Sequence, residues 1–112
     1  MRLRKKYWAR PELEASHIVR TDQYDHKGNW SDEFKNENEI HLELGCGKGS
    51  FIAEKSKQNS NINFIGIDLK DEVLVFALRK VIEERGVKED QNINVRLMPL
   101  NIMFIDDVFA KD

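Results

Sequence analysis

A glycine-rich loop, residues 45–49 (Gly-Cys-Gly-Lys-Gly), directly follows an alternating apolar run that contains Glu43. Glycine suits a tight strand-to-helix turn, because it adopts backbone angles that a Cβ forbids and lets a ligand approach the main chain. The carboxylate of Glu43 would repel a pyrophosphate, whereas it would attract the sulfonium and ammonium groups of S-adenosylmethionine. We therefore predict a backbone cradle for S-adenosylmethionine, formed by Gly45, Gly47 and Gly49 with Glu43 beside the cationic part of the ligand.

The spacing of this loop separates it from two other nucleotide-binding loops. A dinucleotide fingerprint, G-x-G-x-x-G, would need its third glycine where Ser50 stands, and the full phosphate-loop pattern is absent. Cys46 is the only cysteine, which excludes an internal disulfide and a multi-cysteine metal site. We interpret Cys46 as a small residue that packs against the ligand rather than as a nucleophile, and we predict no metal site.

The elements around the loop follow the order strand, helix, strand. Alternating apolar residues over 39–44 predict the first strand, residues 50–58 a helix, and the β-branched run 62–67 a second strand that ends at Asp68. This order is the first unit of a Rossmann-like sheet. Asp68 lies 25 positions after Glu43, which suits a carboxylate that binds the ribose hydroxyls of an adenosine ligand; the alternative is an ordinary helix N-cap.

A second helix and a third strand complete the regular pattern. Residues 71–85 are predicted to form a helix, because their apolar members recur at helical spacing as a stripe and Gly86 stands just past the end. Residues 93–97 are predicted to form a strand. The stripe comprises Val73, Leu74, Ala77, Leu78, Val81 and Ile82, with Arg79, Lys80 and Arg85 expected on the solvated face. Asn101 follows the third strand and is either a ligand-side residue or a plain turn asparagine. A short helical segment is predicted over 104–110.

Residues 1–37 show no sustained periodicity and are predicted to form an extended arm with a short helix, in front of the main domain at 38–112. Trp8 and Trp30 are expected to anchor this arm by packing on the domain, the alternative being stacking on a nucleic-acid base.

The first ten residues are basic and contain no acid. Such a segment is either a contact for nucleic-acid phosphates or a solvated terminus; the basic side chains in question are Arg2, Arg4, Lys5 and Lys6.

Length and composition limit the class of protein. The chain has 112 residues, 40% hydrophobic and 34% charged, which describes one globular domain that is short for a doubly wound sheet. No apolar run is long enough to span a membrane, and the basic start is not followed by the apolar stretch of a signal peptide. We therefore expect a cytoplasmic location and no membrane partner.

Several motifs together resemble the bacterial tRNA (guanine-7-)-methyltransferases of the TrmB type. They are the basic start (residues 2–6), Trp-Ala-Arg-Pro-Glu-Leu (8–13), the block around the glycine loop (41–52) and Gly-Ile-Asp-Leu-Lys (66–70). The resemblance spans essentially the whole chain. It implies an α/β, Rossmann-like class I S-adenosylmethionine-dependent methyltransferase fold, of which this chain holds the N-terminal part of the sheet only.

The family transfers the methyl group of S-adenosylmethionine to the position-seven nitrogen of a guanine in the tRNA variable loop. Carried over to this chain, the resemblance implies that Glu43 and Asp68 are cofactor carboxylates, that the glycine-loop backbone surrounds the methionine part, and that Asn101 lies beside the adenine. Asp68 departs from many relatives, which carry glutamate there; both side chains suit ribose binding. The basic start would contact tRNA.

The family continues for about as many residues again, with an Asp-Pro-Trp motif whose aspartate is assigned to catalysis; that motif is absent here. We therefore expect the catalytic residues beyond Asp112 and an inactive fragment. Two alternatives remain, a class I methyltransferase fragment with another substrate and a non-catalytic RNA-binding module. A three-strand sheet would also leave an edge through which a second copy could form a homo-oligomer.

Overall fold

The computed structural model describes residues 7–47, 49–88 and 91–109 of the chain. Helices and strands alternate along most of this length. The α-helices are α1 (Ala9–Ala15), α2 (Trp30–Phe34), α3 (Ser50–Gln58), α4 (Asp71–Arg85) and α5 (Ile105–Val108), and the strands are β1 (Ile40–Leu44), β2 (Asn63–Asp68) and β3 (Val95–Pro99). Two 3-10 turns, Gln23–His26 and Ile102–Phe104, complete the described elements.

The strands form one parallel sheet in the order β1-β2-β3. Ile40 is in register with Asn63, and Phe64 with Val95. Because the strands run in the same direction, the carboxyl ends of all three lie at one edge of the sheet, which we call the carboxyl edge. The α/β class and the partial parallel sheet confirm the predicted fold class.

Helices cover the two faces of the sheet unequally. One face packs against α1, α3 and α4 through buried side chains that include Leu13, Ile52, Leu78 and Leu97. The other face is covered by a smaller cluster, comprising Trp30, Phe34, Ile65, Ile67, Met98, Leu100 and Val108. β2 contributes to both clusters and is buried along most of its length, as expected for the central strand of a parallel sheet.

The N-terminal segment packs on the domain through both tryptophans, as predicted. Trp8 meets Phe76 edge to face with 6.4 Å between ring centroids, and the Arg79 guanidinium lies 4.5 Å from the centroid of the Trp8 ring. Trp30 is buried and donates its indole N–H to the carbonyl of Val108 at 2.9 Å. These contacts join α1 to α4 and α2 to α5.

The same segment also covers one edge of the sheet. Val19 forms a parallel bridge with Leu97 of β3. The amide of Arg20 donates to the Leu97 carbonyl at 2.9 Å, and the Leu97 amide donates to the Ile18 carbonyl at 2.8 Å. Residues 18–20 therefore protect the outer edge of β3, which would otherwise offer unpaired backbone groups.

A buried arginine fixes α2 to β3. The Arg96 side chain is 5% exposed and donates from Nε to a carboxylate oxygen of Glu33 at 2.8 Å, an oxygen that Arg20 also contacts. Burial opposes ionisation of Glu33, but hydrogen bonds from Arg96 and Arg20 outweigh it and hold the Glu33 pKa below its ordinary value. Further hydrogen bonds from Arg96 go to the carbonyls of Ile93, Val95 and Glu33 and to Asn92. A buried charge is stable only when its partners are supplied in this way.

Four expectations about the elements need correction. Residues 7–37 hold two helices and a 3-10 turn rather than a mostly extended arm, because nonlocal contacts hold each short helix. The third strand covers 95–99 instead of 93–97, since the Asn94 side chain bonds the carbonyls of Ser56, Asn59 and Ile62. The last helix is shorter than predicted and follows a 3-10 turn. Arg85 is half-buried, bonded to Ser56 and Asn94, and not on the solvated face.

The apolar face of α4 also differs from the predicted stripe. Val75 is fully buried, whereas Ile82 is 38% exposed and Val73 is half-buried. The helix packs against α1 and α3 as well as the sheet. Its buried face is therefore rotated and includes Val75, which the predicted stripe did not contain. In α3, Phe51 is 64% exposed, although Ile52 and Ala53 are buried as expected.

Candidate functional site

The glycine loop begins where β1 ends and is tied to β2 by backbone hydrogen bonds. The amides of Gly45 and Cys46 both donate to the carbonyl of Ile67, at 2.8 and 3.1 Å. The loop therefore lies at the carboxyl edge, across the ends of the first two strands. This is the place where parallel α/β sheets bind their ligands.

Each predicted loop glycine has a positive φ angle, with +70° at Gly45, +55° at Gly47 and +83° at Gly49. Gly49 is further constrained by packing, since a Cβ there would stand 2.7 Å from the Cα of Ala77 and 2.8 Å from its carbonyl oxygen. At Gly45 a Cβ would meet nothing within 4 Å. Gly45 is thus required by the backbone conformation of the turn alone, whereas Gly49 also allows α3 to approach α4.

Asp68 contacts the glycine loop directly. One carboxylate oxygen accepts a hydrogen bond from the Gly47 amide at 3.3 Å, and the other accepts from the Lys70 amide at 3.3 Å. The N-cap of α4 is Lys70, so Asp68 does not cap that helix. Two of the predicted site elements, the loop and the acid after β2, are brought together.

Glu43 is a partly buried carboxylate whose pKa is raised above its ordinary value by burial alone. Among the ion pairs of the described residues none involves Glu43. A carboxylate in this state gains more from a cationic ligand than a fully solvated one would, because part of its hydration is already lost. The loop and Glu43 therefore fit a ligand with a positive centre.

Cys46 lies beneath the loop and is 6% exposed. Burial raises the pKa of its thiol to about 12, and the nearby carboxylates of Asp68 and Glu43 add to the effect. The thiolate is the nucleophilic form of cysteine. Cys46 is therefore a neutral packing residue at physiological pH rather than a nucleophile, and its packing against a ligand stays a prediction.

Asn101 lies just after β3, and its side-chain oxygen accepts a hydrogen bond from the Met103 amide at 3.0 Å. This contact caps the 3-10 turn at 102–104, which is the turn role considered from the sequence. A role beside an adenine stays a prediction.

The sequence did not single out Gln23, a buried residue that donates to the Pro99 carbonyl at 2.9 Å; its neighbours come from distant parts of the chain, so no local signal marks it.

The start of α1 reaches the carboxyl edge. Arg10 donates to a carboxylate oxygen of Asp71 at 2.9 Å, and Asp71 is the first residue of α4, directly after the β2 turn. The predicted tRNA contacts Arg2, Arg4, Lys5 and Lys6 lie outside the described residues. Arg10, their described neighbour, was not predicted as a site residue because the sequence shows no partner for it.

Neither a metal-binding cluster nor a membrane-spanning helix occurs among the described residues. They contain no cluster of three or more histidine, cysteine, aspartate or glutamate side chains that could hold a metal ion. Among the helices of the described ranges, none is long and apolar enough to cross a membrane.

Comparisons with known proteins agree with this geometry. Residues 37–112 match a protein-family model described as "Putative methyltransferase". Three similar proteins are called tRNA (guanine-N(7)-)-methyltransferase: those of Clostridium tetani (57% identical), Clostridium acetobutylicum (54%) and Clostridium kluyveri (53%). In each case the match covers 100% of this chain and 50% of the relative. The chain thus spans about half the length of the curated relatives it matches.

Proposed function

Because this chain belongs to the putative methyltransferase family, we propose that it is the cofactor-binding part of an S-adenosylmethionine-dependent tRNA (guanine-N(7)-)-methyltransferase. The names of the similar proteins support the reaction and the tRNA substrate. The observation that carries the cofactor assignment is Glu43, a partly buried carboxylate two residues before the glycine loop and without an ion-pair partner among the described residues.

Three groups of this chain would hold the cofactor. Glu43 would face its cationic part, and the backbone of Gly45, Gly47 and Gly49 would line the methionine part, since glycines leave the main chain accessible. Asp68 would accept hydrogen bonds from the ribose hydroxyls in place of the Gly47 amide it contacts now. Asn101 would lie beside the adenine, at the end of β3.

When bound, S-adenosylmethionine supplies an electrophilic methyl group, which the lone pair of a guanine ring nitrogen can take without a strong base. The residues of this chain would therefore contribute orientation and charge placement rather than proton transfer. Cys46 stays protonated and takes no covalent part. The groups that position the guanine would belong to the half of the enzyme that this chain does not span.

The basic start of the chain would bind tRNA phosphates. Arg10, the last basic residue of this start, lies at the carboxyl edge through its contact with Asp71. Phosphate contacts by lysine and arginine supply affinity that does not depend on sequence. A tRNA substrate supports a cytoplasmic location for the proposed enzyme.

Calorimetric titration of this chain with S-adenosylmethionine tests the cofactor assignment. Glu43→Ala and Asp68→Ala are each expected to weaken binding by about 1.5–3 kcal/mol, the scale of a hydrogen bond to a charged group. Glu54→Ala is the matched control, because Glu54 is an exposed carboxylate on α3. Unchanged affinity in both site variants would refute the assignment of the two carboxylates.

A further inference from the structure

Gly66 lies inside β2, the buried central strand of the described sheet. Unlike the three loop glycines, it does not have a positive φ angle, so its backbone conformation accepts any residue. A glycine within a strand weakens the strand, because it has no side chain to pack, and it often marks a place that another main chain approaches closely. The space around Gly66 is therefore the reason for glycine at this position.

Three neighbouring side chains fill that space. A Cβ at position 66 would lie 2.9 Å from Cδ1 of Ile52, 2.9 Å from Cδ2 of Leu97 and 3.2 Å from Cβ of Cys46. The first two atoms are the free ends of side chains, which can shift by changes in their torsion angles. The Cβ of Cys46 is bonded directly to the main chain, so it moves only when the glycine loop moves with it.

Cys46 joins the glycine loop to β2. Its amide donates to the Ile67 carbonyl at 3.1 Å, and its carbonyl accepts from the Gly49 amide at 3.0 Å. The Gly45 amide donates to the same Ile67 carbonyl at 2.8 Å. A displacement of Cys46 would therefore shift the loop on both sides of this residue.

Gly66 is also close to both carboxylates of the candidate site. It is in register with Glu43 of β1, and Asp68 follows two positions later on the same strand. Residues two positions apart on a strand share one face of the sheet. The depth at which Cys46 packs over Gly66 thus affects the distance between the loop and these carboxylates.

We propose that Gly66 is a positioning residue for the glycine loop. The missing side chain at position 66 leaves the space in which Cys46 packs, and this packing holds the loop at the distance from Glu43 and Asp68 that the cofactor requires. Gly66 itself would not touch the cofactor, since it acts through Cys46. This role rests on the proposed function, which assigns the loop to S-adenosylmethionine.

Calorimetric titration of the 112-residue chain with S-adenosylmethionine tests this role through a cycle of two substitutions. Gly66→Ala should weaken binding by about tenfold or more, because the added methyl group displaces Cys46 and the loop. In the Cys46→Gly background no Cβ stands over position 66. The same Gly66→Ala change should then weaken binding by no more than about twofold.

Two controls separate loop positioning from a general loss of stability. Ile52→Val removes the Cδ1 atom near position 66. In that background Gly66→Ala should lower the urea midpoint less than in the unchanged chain, yet weaken cofactor binding equally. Val95→Ala truncates a fully buried side chain at the start of β3, at the end of the sheet opposite the carboxyl edge. It should lower the urea midpoint and leave cofactor affinity unchanged.

A measurement without cofactor reports on the loop itself. Cys46 is the only cysteine of the chain and is 6% exposed, so its reaction with a disulfide reagent, dithiobis(nitrobenzoic acid), monitors the opening of the loop. Gly66→Ala should speed this reaction, and the hydrogen exchange of the Gly45 and Cys46 amides, more than Val95→Ala does. Circular dichroism confirms that each variant is folded, and the Ile52→Val background carries the same comparison if Gly66→Ala alone does not fold.

Three results would overturn the proposal. One is a folded Gly66→Ala variant that binds S-adenosylmethionine as tightly as the unchanged chain. Another is an equal loss of affinity in the Cys46→Gly background. The third is a Cys46 thiol that reacts no faster after Gly66→Ala than after Val95→Ala. An unchanged chain that binds no S-adenosylmethionine would refute the proposed function instead, and the thiol and exchange rates would then decide whether Gly66 positions the loop.

Discussion

Glu43 shows how a residue that is proposed to bind a ligand can oppose stability. Burial raises its pKa above the ordinary value of 4.5, so the ionised side chain is less favourable in the folded chain than in the unfolded chain. This cost is absent at low pH, appears as the pH rises through 4.5, and is complete above the folded-state pKa. The fold therefore retains a carboxylate that its local environment disfavours.

Glu43→Gln should accordingly raise the free energy of unfolding at neutral pH and leave it unchanged in acid. The gain should not exceed about 0.5 kcal/mol, because the side chain is partly exposed and solvent screens its charge. The same variant should lose affinity for S-adenosylmethionine. Urea denaturation at several pH values measures the first effect; a variant less stable than the unchanged chain at neutral pH would show that Glu43 has a stabilising partner.

At the scale of elements, the approach of α3 to α4 depends on Gly49. The first turn of α3 follows this glycine, and the backbone of Ala77 in α4 lies against it. The two helices cover the same sheet face and place the glycine loop at the carboxyl edge. Gly49 therefore contributes both to the packing of α3 on α4 and to the geometry of the glycine loop.

Gly49→Ala should destabilise the chain by about 2–4 kcal/mol, since the added methyl group meets backbone atoms that cannot move cheaply and φ is +83°. Gly86→Ala is the matched control, because its φ is +59° but nothing lies within 4 Å of the added Cβ. It should cost only the left-handed strain, about 1–2 kcal/mol. Equal losses in thermal or urea denaturation would show that packing against Ala77 contributes nothing.

At the scale of the whole molecule, charge is distributed unevenly along the chain. The net charge is −2, yet the first ten residues contain five basic side chains and no acid. A segment of this kind can bind tRNA although the chain as a whole is mildly acidic.

Replacing Arg2, Arg4, Lys5 and Lys6 with glutamine should lower tRNA affinity and flatten its dependence on salt, because fewer counterions are released on binding. Affinity for S-adenosylmethionine should not change. Four exposed lysines elsewhere, Lys27, Lys35, Lys57 and Lys88, provide a control of equal charge. Filter binding at several salt concentrations measures both slopes, and equal slopes for the two quadruple variants would remove the basic start as a specific contact.

The 112-residue chain should not methylate tRNA. It spans about half the length of its relatives and has a three-strand sheet in its described part, so we expect no complete pocket to orient the guanine. Orientation of the reactants lowers the activation barrier, so its loss raises the barrier to methyl transfer by several kcal/mol. The assay compares transfer of a labelled methyl group to unmodified tRNA by this chain and by a full-length relative; comparable turnover would place the catalytic residues within this chain.

Local patterns in the sequence determined the glycine loop and the limits of α3 and α4, which the structure places at the predicted residues. These signals are local because a helix end depends on caps and on the periodicity of its own residues, and a tight turn on its own glycines. The fold class followed from the order of these elements. The contact between Asp68 and the loop agrees with the prediction that the two share one site.

Only the tertiary structure decided where nonlocal partners meet. The helices of residues 7–37 form because Leu13 and Trp30 are buried against distant elements, and β3 begins at Val95 because Asn94 is bound to carbonyls before β2. The pairing at β3 is of the same kind, since residues 18–20, which precede the first strand, bond to Leu97. Short elements contribute too little energy of their own to determine such pairings, so contacts between residues far apart in the chain decide them.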